Sequence, residues 1–428
     1  MMLNWDDPLS NPTSKVNGSK LKGTMPAFLN DPTVEVNSSE LNAETQVAIE
    51  PSTQQKTVTT AVMGAASLPL NGEAVTSASS SRVRPTVQSE PFKPQQPIRA
   101  EDKRVINGSG DINQLAPFKY PWAWEFFINA NKNHWTPLDI NMAQDVHDYH
   151  HNLKPEERHV YENVLAYLTT SDILAMRNIG LAVMEKMTAP ELQIYQARQV
   201  YEEALHTWTY QHCIETIGLD QAEIYNRYRV VPEINGKIQL ANRRLYDALR
   251  PDIDLKNRDD LHDFVLSYTF FAGIFEGCWF YNGFSPIFAL QRRGLMKGTG
   301  EQLQYIMRDE VLHCSFGIRV VRQIMQEENV QLDPQAVRQM WDEAEAAEIN
   351  YSQYLLPTPI LGYSAQDHQE QFRFIANRRA RQLGLDEPFA GAQNALPWLD
   401  EQSNMRKEKN FFETRVTEYQ TGGALKWD

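Results

Sequence analysis

The stretch that decides the fold runs from residue 196 to residue 217, QARQVYEEALHTWTYQHCIETI. It contains no Pro or Gly, and its apolar residues recur every three or four positions, which predicts one continuous helix. Gly218 follows directly and is expected to end the helix. Glu203 and His206 stand at positions i and i+3, so their side chains leave the same helix face about one turn apart. The pair could therefore hold a metal ion.

A second Glu-x-x-His pair, Glu310 and His313, occurs further along the chain. One pair is a weak signal, but two pairs plus one carboxylate from each of two other helices form the pattern of di-metal carboxylate bundles. Two apolar helical segments supply those carboxylates: Asp172 interrupts the inner face of one, and Glu276 is the single acid in the middle of the other, 260–280. An acid facing inward needs a compensating cation. The predicted metal ligands are Asp172, Glu203, His206, Glu276, Glu310 and His313.

Composition divides the 428 residues unevenly. Residues 1–113 contain only three aromatic residues and are rich in Ser, Thr, Pro, Asn and Gln. Such a segment cannot bury enough apolar surface to offset its ordering entropy. We expect 1–113 to be a mostly disordered extension, 114–400 to form one helical domain, and 401–428 to be a flexible tail.

Charge and cysteine content limit the classes of function that the chain could have. The formal net charge is −14 without a basic run, which argues against nucleic acid as a partner. The three cysteines have neither metal-finger nor redox spacing. The first residues lack the pattern of a signal peptide, and no apolar run reaches membrane-spanning length. We expect a soluble cytoplasmic protein without a membrane partner.

Apolar periodicity predicts further helices and one less regular region. Residues 219–258 are expected to be irregular, with turns at Val231-Pro232 and Arg250-Pro251. The acidic run 342–348 is interpreted as a solvated helix face. The further predicted helices are 155–187, 260–280, 334–354 and 365–383.

The order of these residues resembles that of the small, radical-carrying subunit of class I ribonucleotide reductase. The family order Asp, Glu-x-x-His-x-x-x-Tyr, Glu, Glu-x-x-His recurs here, with Tyr210 as the tyrosine. The run Arg308–His313 and the stretch from Asn410 to Gln420 also match family motifs. The resemblance covers roughly 115–428. It implies an all-α, ferritin-like bundle with a carboxylate-bridged di-metal site and additional surrounding helices.

The resemblance also implies residue roles. It assigns Asp172, Glu203 and His206 to one metal ion, and Glu276, Glu310 and His313 to the other. The ions would be two irons, with manganese possible. Tyr210 would carry the radical inside a cage of Phe280, Phe284 and Ile306. Radical transfer would use Trp135, Asp309 and Tyr419, with Asp309 also accepting the N–H of His206. Leu425 and Trp427 would dock on the large subunit, and the chain would form a homodimer.

The function that the resemblance implies is the small subunit of ribonucleoside-diphosphate reductase. It would activate oxygen, store a tyrosyl radical on Tyr210 and deliver it to the large catalytic subunit, which reduces ribonucleotides to deoxyribonucleotides. The tyrosine at 210 argues against the subgroup that has Phe there and uses a manganese–iron pair. Two alternatives stay open: a ferritin-like di-iron oxidase or monooxygenase with its own small substrate, and a helical scaffold or metal-storage bundle. Neither alternative has a use for Tyr419 in a mobile tail.

Overall fold

The computed structural model describes residues 98–108, 112–360 and 362–399, and within these ranges the chain is built from helices. Its only β feature there is an isolated bridge between Ile360 and Tyr363. Three π-helical segments interrupt or extend the α-helices, at Asp148–Asn152, Asn178–Val183 and Phe270–Phe280. The α-helices are α1 Pro121–Ala130, α2 Ala143–His147, α3 Pro155–Arg177, α4 Pro190–Ile217, α5 Gln221–Val230, α6 Pro232–Leu249, α7 Arg258–Thr269, α8 Tyr281–Arg292, α9 Lys297–Glu327, α10 Pro334–Leu355 and α11 Ala365–Leu383. The all-α prediction is confirmed.

Proline and glycine set many of the helix ends. Pro occupies the first helical position of α3, α4, α6 and α10, where its missing N–H has no intrahelical partner to lose. Gly218 ends α4 in the left-handed region with φ 82°, as predicted, and Gly384 ends α11 with φ 78°. The predicted bounds 365–383 of the last helix are those of the structure.

The expectation of an irregular 219–258 is wrong, because α5 and α6 fill most of it. Pro232 begins α6 instead of marking a turn, and Gly236 lies within that helix. The helix tolerates this glycine because α6 buries an apolar face that outweighs the local propensity. Residues on that face include Ile234, Ile238, Ala241 and Leu245.

The folded part begins before the expected boundary at residue 114. Val105 and Ile106 are fully buried in the core. Lys103, also buried, lies 3.4 Å from a carboxylate oxygen of Glu191 at the start of α4. Residues 98–108 are therefore packed onto the bundle.

The bundle brings together the four helical segments that carry the predicted ligands. α3 packs along α4, and α9 packs against the π-helix Phe270–Phe280 and against α4. α10 and α11 cover the outer side of the π-helix. None of the helices in the described ranges is both long and apolar enough to cross a membrane.

Candidate metal centre

The six predicted ligands project from four neighbouring segments into the bundle. α3 supplies Asp172, α4 supplies the first Glu-x-x-His pair, the π-helix supplies Glu276, and α9 supplies the second pair. All six are at most 3 % exposed. The ligand atoms of Asp172, Glu203, His206 and Glu310 lie within 4.8 Å of one another.

Two of the carboxylates lie between the two imidazoles. One oxygen of Glu203 is 3.7 Å from Nδ1 of His206, and its other oxygen is 3.0 Å from Nδ1 of His313. Glu310 repeats this arrangement, with one oxygen 3.3 Å from Nδ1 of His206 and the other 3.5 Å from Nδ1 of His313. Each carboxylate thus presents one oxygen to each imidazole. This is the arrangement that two bridging carboxylates between two ions require.

The outer nitrogen of each imidazole contacts a further carboxylate. Nε2 of His206 lies 3.2 Å from Oδ2 of Asp309, and Nε2 of His313 lies 2.8 Å from Oε2 of Glu202. An ionised carboxylate only accepts hydrogen bonds, so each Nε2 carries the hydrogen. In the neutral imidazole each Nδ1 then turns its lone pair toward the cluster, which is the state that a metal-binding imidazole needs.

Glu202 is a functional residue that the sequence reasoning missed. It precedes Glu203 as Asp309 precedes Glu310, so an acid stands before both Glu-x-x-His pairs. That repeat was the available signal. Asp309 precedes the second pair but accepts from His206 of the first pair. Glu202 precedes the first pair but accepts from His313 of the second pair.

Asp309 also connects the cluster to Trp135. The indole N–H of Trp135 donates to Oδ2 of Asp309 at 3.2 Å, and the side-chain amide of Asn133 donates to Oδ1. The Trp135 ring stacks on Tyr305 with 5.4 Å between centroids. A chain of contacts thus runs from His206 through Asp309 to Trp135, which is 6 % exposed.

Glu276 lies at the edge of the cluster and contacts a residue that the sequence reasoning did not single out. The side-chain amide of Gln199 donates to both oxygens of Glu276, at 3.2 and 3.3 Å. Gln199 stands on α4 one turn before Glu203. It holds Glu276 toward α4 from the π-helix, a helix type that is rare and frequent at functional sites.

The pKa values of the cluster reflect burial and crowding. Burial, and then the charge of Glu203, raise the pKa of both Asp172 and Glu276 well above the ordinary range. Burial also acts to raise the pKa of Glu203, but the two histidines outweigh it and lower that pKa. Burial acts to lower the pKa of His206 and of His313, yet the surrounding carboxylates raise both well above the ordinary value. This many carboxylates buried together require compensating positive charge.

The cluster fits a pair of hard divalent cations. Both oxygens of Asp172, Glu203 and Glu310 are buried without a hydrogen-bond partner, and so is Nδ1 of each histidine. Unpartnered buried polar atoms are costly unless an ion satisfies them. A donor set rich in oxygen with one imidazole per ion suits iron or manganese better than metals that prefer thiolates.

Tyr210 lies one helical turn beyond His206 and is fully buried. Its hydroxyl lies beside the carboxylate of Asp172, and burial together with the Asp172 charge raises the pKa of Tyr210 well above the ordinary value. The three residues expected to form its cage are all fully buried, and Phe280 and Phe284 stack with 6.2 Å between centroids. Ile306 stands one turn before Glu310 on α9.

Three predicted site residues lie in the tail, outside the described residues: Tyr419, Leu425 and Trp427. The structure therefore neither brings them to the cluster nor separates them from it.

Comparison with known proteins shows to which family the chain is similar. The family model for the ribonucleotide reductase small chain matches residues 112–396. The chain is 38 % identical over 336 residues to a ribonucleoside-diphosphate reductase subunit beta of Chlamydia pneumoniae, covering 77 % of this chain and 96 % of that protein. It is 29 % identical over 325 residues to a ribonucleoside-diphosphate reductase small subunit of Dictyostelium discoideum, covering 75 % of this chain and 90 % of that protein.

Solved structures share the fold at lower identity. An R2 subunit of ribonucleotide reductase from Clostridium botulinum superposes with a TM-score of 0.63 at 22 % identity, covering 70 % of this chain and 94 % of that one. A dimanganese(II) NrdF of Streptococcus sanguinis gives 0.55 at 16 % identity, over 68 % and 97 % of the two chains. The Rnr4 homodimer of Saccharomyces cerevisiae gives 0.56 at 18 % identity, over 72 % and 89 %. The ferritin-like bundle and its buried cluster, with these matches, show that the chain belongs to the ribonucleotide reductase small-chain family and is a ribonucleoside-diphosphate reductase small subunit.

Proposed function

We propose that this small subunit forms and stores a radical on Tyr210 and passes the oxidising equivalent to a large catalytic subunit. The observation that carries the proposal is the position of Tyr210, which is buried one turn from His206 and under the charge of Asp172. Phenol oxidation removes a proton as well as an electron, and Asp172 is the nearby base that could take the proton. Burial excludes water and small reductants, which favours a long-lived radical.

The cluster would hold two iron or manganese ions, which would supply the oxidising power of oxygen activation. Asp172 and His206 would serve one ion, Glu276 and His313 the other, and Glu203 and Glu310 would bridge them. The oxygen-rich donor set supports iron or manganese without selecting between them, since both prefer hard ligands. The structural likeness to a dimanganese NrdF supports the manganese option.

The route out of the site would use residues already in contact. His206 donates to Asp309, and Asp309 accepts from Trp135, so electron and proton shifts along these bonds need no rearrangement. Tyr419 in the tail would carry the equivalent onward. Leu425 and Trp427 would anchor the tail on the large subunit, and the intervening tether would raise the effective concentration of the two partners.

The chain would act as a cytoplasmic homodimer. α4 carries one exposed apolar stripe, Ala197, Tyr201, Ala204 and Trp208, at the i, i+4, i+7 and i+11 spacing of one helix face. Tyr201 is 52 % exposed and Trp208 is 44 % exposed. A second copy would cover this stripe, and one solved structure of this fold, Rnr4, is a homodimer. Three free, buried cysteines suit a reducing compartment.

Electron paramagnetic resonance on protein reconstituted with ferrous iron and oxygen tests the proposal. We expect a persistent tyrosyl signal that a Tyr210→Phe variant lacks. Tyr195→Phe is the matched control, because Tyr195 lies on the same helix, is fully buried and has an unpartnered hydroxyl. A signal that survives in Tyr210→Phe and disappears in Tyr195→Phe would place the radical on Tyr195 and overturn the proposal.

A further inference from the structure

A buried lysine outside the metal cluster sits against three aromatic rings. Lys237 on α6 is fully buried. Its ammonium lies 4.0 Å from the ring centroid of Tyr167, 4.6 Å from that of Tyr351 and 4.7 Å from that of Trp279. A desolvated ammonium in contact with three ring faces is an unusually strong set of cation–π contacts.

A network of hydrogen bonds fixes this ammonium. Nζ of Lys237 donates to Oε2 of Glu348 at 2.6 Å, while Oε1 of Glu348 lies 2.7 Å from Nε2 of His368 and accepts from Asn282 at 2.6 Å. Glu348 belongs to the acidic run interpreted from sequence as a solvated face, and that interpretation is wrong for this residue, which is fully buried. Burial acts to raise the pKa of Glu348, but Lys237 and His368 lower it to about 2. Burial lowers the pKa of Lys237, and the ionised carboxylate of Glu348 partly counteracts this effect.

The caged rings are close in the chain to two of the metal ligands. Tyr167 precedes Asp172 on α3, and Trp279 follows Glu276 on the π-helix. A series of aromatic contacts leads from the radical cage to Trp279: Phe280 lies 5.0 Å from Phe275, which lies 6.0 Å from Trp279. These contacts give electrons a second path between the caged rings and the residues expected to surround Tyr210.

The caged rings differ from the proposed route in their proton acceptors. The indole N–H of Trp135 donates to a carboxylate, and Tyr210 lies beside Asp172. The N–H of Trp279 has no hydrogen-bond partner, and the O–H of Tyr167 has only the hydroxyl of Ser171 beside it, which is a poor base. The hydroxyl of Tyr351 reaches only a backbone carbonyl, that of Asn163 at 3.4 Å, which is a poor base.

We propose that Lys237 protects Trp279, Tyr167 and Tyr351 from one-electron oxidation, so that the oxidising equivalent stays on Tyr210. The inference rests on the proposed radical function. Oxidation of a caged ring by the Tyr210 radical would move one electron and one proton from the indole or phenol to the Tyr210 phenoxyl. Tyr210 then becomes a phenol again, and the donor ring becomes a neutral radical. If the electron leaves first, the ammonium opposes the positive charge on the ring. If the proton must leave with it, no carboxylate or imidazole is hydrogen-bonded to these rings to accept it.

The test compares variants that remove or keep the positive charge. Lys237→Met with Glu348→Gln removes both charges, so that no carboxylate is left buried without its cation. Lys237→Gln is a second neutral variant that retains a donor to Glu348, and Lys237→Arg keeps the charge. Lys103→Met with Glu191→Gln is the matched control, because this buried ion pair, at 3.4 Å, lacks the aromatic cage.

After reconstitution with ferrous iron and oxygen, the decay of the Tyr210 signal is followed by electron paramagnetic resonance, and oxidised residues are mapped by peptide mass spectrometry. In the neutral variants we expect decay about tenfold faster and oxidation products at Trp279, since each tenfold in rate corresponds to about 1.4 kcal/mol and a desolvated cation–π contact contributes about that much or more. The arginine variant and the Lys103 control should match the wild type. Normal lifetimes and unmodified Trp279 in both neutral variants would overturn the inference.

A metal-free arm separates this inference from the proposed function. The full chain without metal is exposed to azide radicals, which are one-electron oxidants, and Trp279 oxidation is measured by the same mapping. We expect more Trp279 product in the neutral variants than in the wild type, and an equal yield would count against protection by Lys237. If the reconstituted wild type shows no tyrosyl signal, the proposed radical function fails, while this arm still decides whether Lys237 shields the rings.

Discussion

At the scale of single residues, the centre is organised by the acids that hold the two imidazoles. Asp309 accepts from His206 and Glu202 accepts from His313, and both contacts fix the nitrogen that faces the cluster. The two acids differ in the second donor from which each accepts a hydrogen bond. Asp309 accepts from the oxidisable indole of Trp135, whereas Glu202 accepts from the guanidinium of Arg198 at 2.9 Å. His206 is therefore the histidine whose carboxylate partner also accepts a hydrogen bond from an oxidisable indole ring.

Replacing Glu202 by Gln should weaken metal binding. The amide still accepts from Nε2 of His313 but no longer raises the basicity of the ring, and losses of such partners typically cost about 10- to 100-fold in affinity. Competition with a chelator for ferrous or manganous ion measures the change. Glu215→Gln on the exposed side of α4 is the control and should bind like the wild type. Equal affinities for the Glu202 variant and the control would show that His313 does not depend on Glu202.

Sequence reasoning named four of the ligand candidates because Glu-x-x-His is a local pattern, and it named Asp172 and Glu276 because each is an acid within an apolar helical segment. It did not single out Glu202, Gln199 or Lys237, since their partners lie on other helices and only the packing brings them together. An acid or lysine on a helix usually faces solvent. The burial of Glu348 likewise depends on a lysine that is distant in the chain.

At the scale of elements, the π-helix Phe270–Phe280 determines where Glu276 stands. Its bonds run from residue i to residue i+5, so it turns Glu276 to a different angle than an α-helix would. Gly277 allows the close approach of neighbours: an added Cβ would lie 2.8 Å from the carbonyl oxygen of Ala272 and 3.0 Å from Sγ of Cys314. The buried guanidinium of Arg379 on α11 donates to the Gly277 carbonyl at 2.9 Å.

Gly277→Ala should therefore destabilise the protein and displace Glu276. Overpacking of this kind costs about 1 to 3 kcal/mol. Urea unfolding measures the loss, and the metal content after reconstitution reports on Glu276. Gly236→Ala is the matched control, because nothing lies within 4 Å of an added Cβ there. An alanine in that exposed helical position should stabilise by about 0.5 to 1 kcal/mol. Unchanged stability and metal content in Gly277→Ala would show that the π-helix absorbs the methyl group.

Helix existence was easier to predict than helix type. The last helix and the Gly218 end of α4 were predicted because periodicity and a glycine stop are local signals. The π-helix was read only as part of one apolar helix, since its register depends on packing against α9 and α11. The turn signals around Pro232 and Gly236 hid α6, whose stability comes from the face that it buries.

At the scale of the whole molecule, the apolar stripe on α4 is the outer side of the helix that carries Glu203, His206 and Tyr210. The inner face of α4 is thus committed to the cluster, while the stripe from Ala197 to Trp208 faces outward. Aromatic side chains at interface centres carry much of the binding energy. A second copy on this stripe would stiffen α4 and reduce the access of water to the cluster from that side.

Trp208→Glu should therefore weaken the proposed dimer. Placing a charge in a desolvated interface in the position of an aromatic anchor costs about 2 kcal/mol or more, which corresponds to roughly 30-fold in the dimer dissociation constant. Sedimentation equilibrium over a range of concentrations measures it. Tyr246→Glu on α6 is the matched control, since Tyr246 is 58 % exposed but lies outside the stripe. If the Tyr246 variant dissociates and the Trp208 variant does not, the copies meet through another face, and the outer side of α4 is left for a different partner.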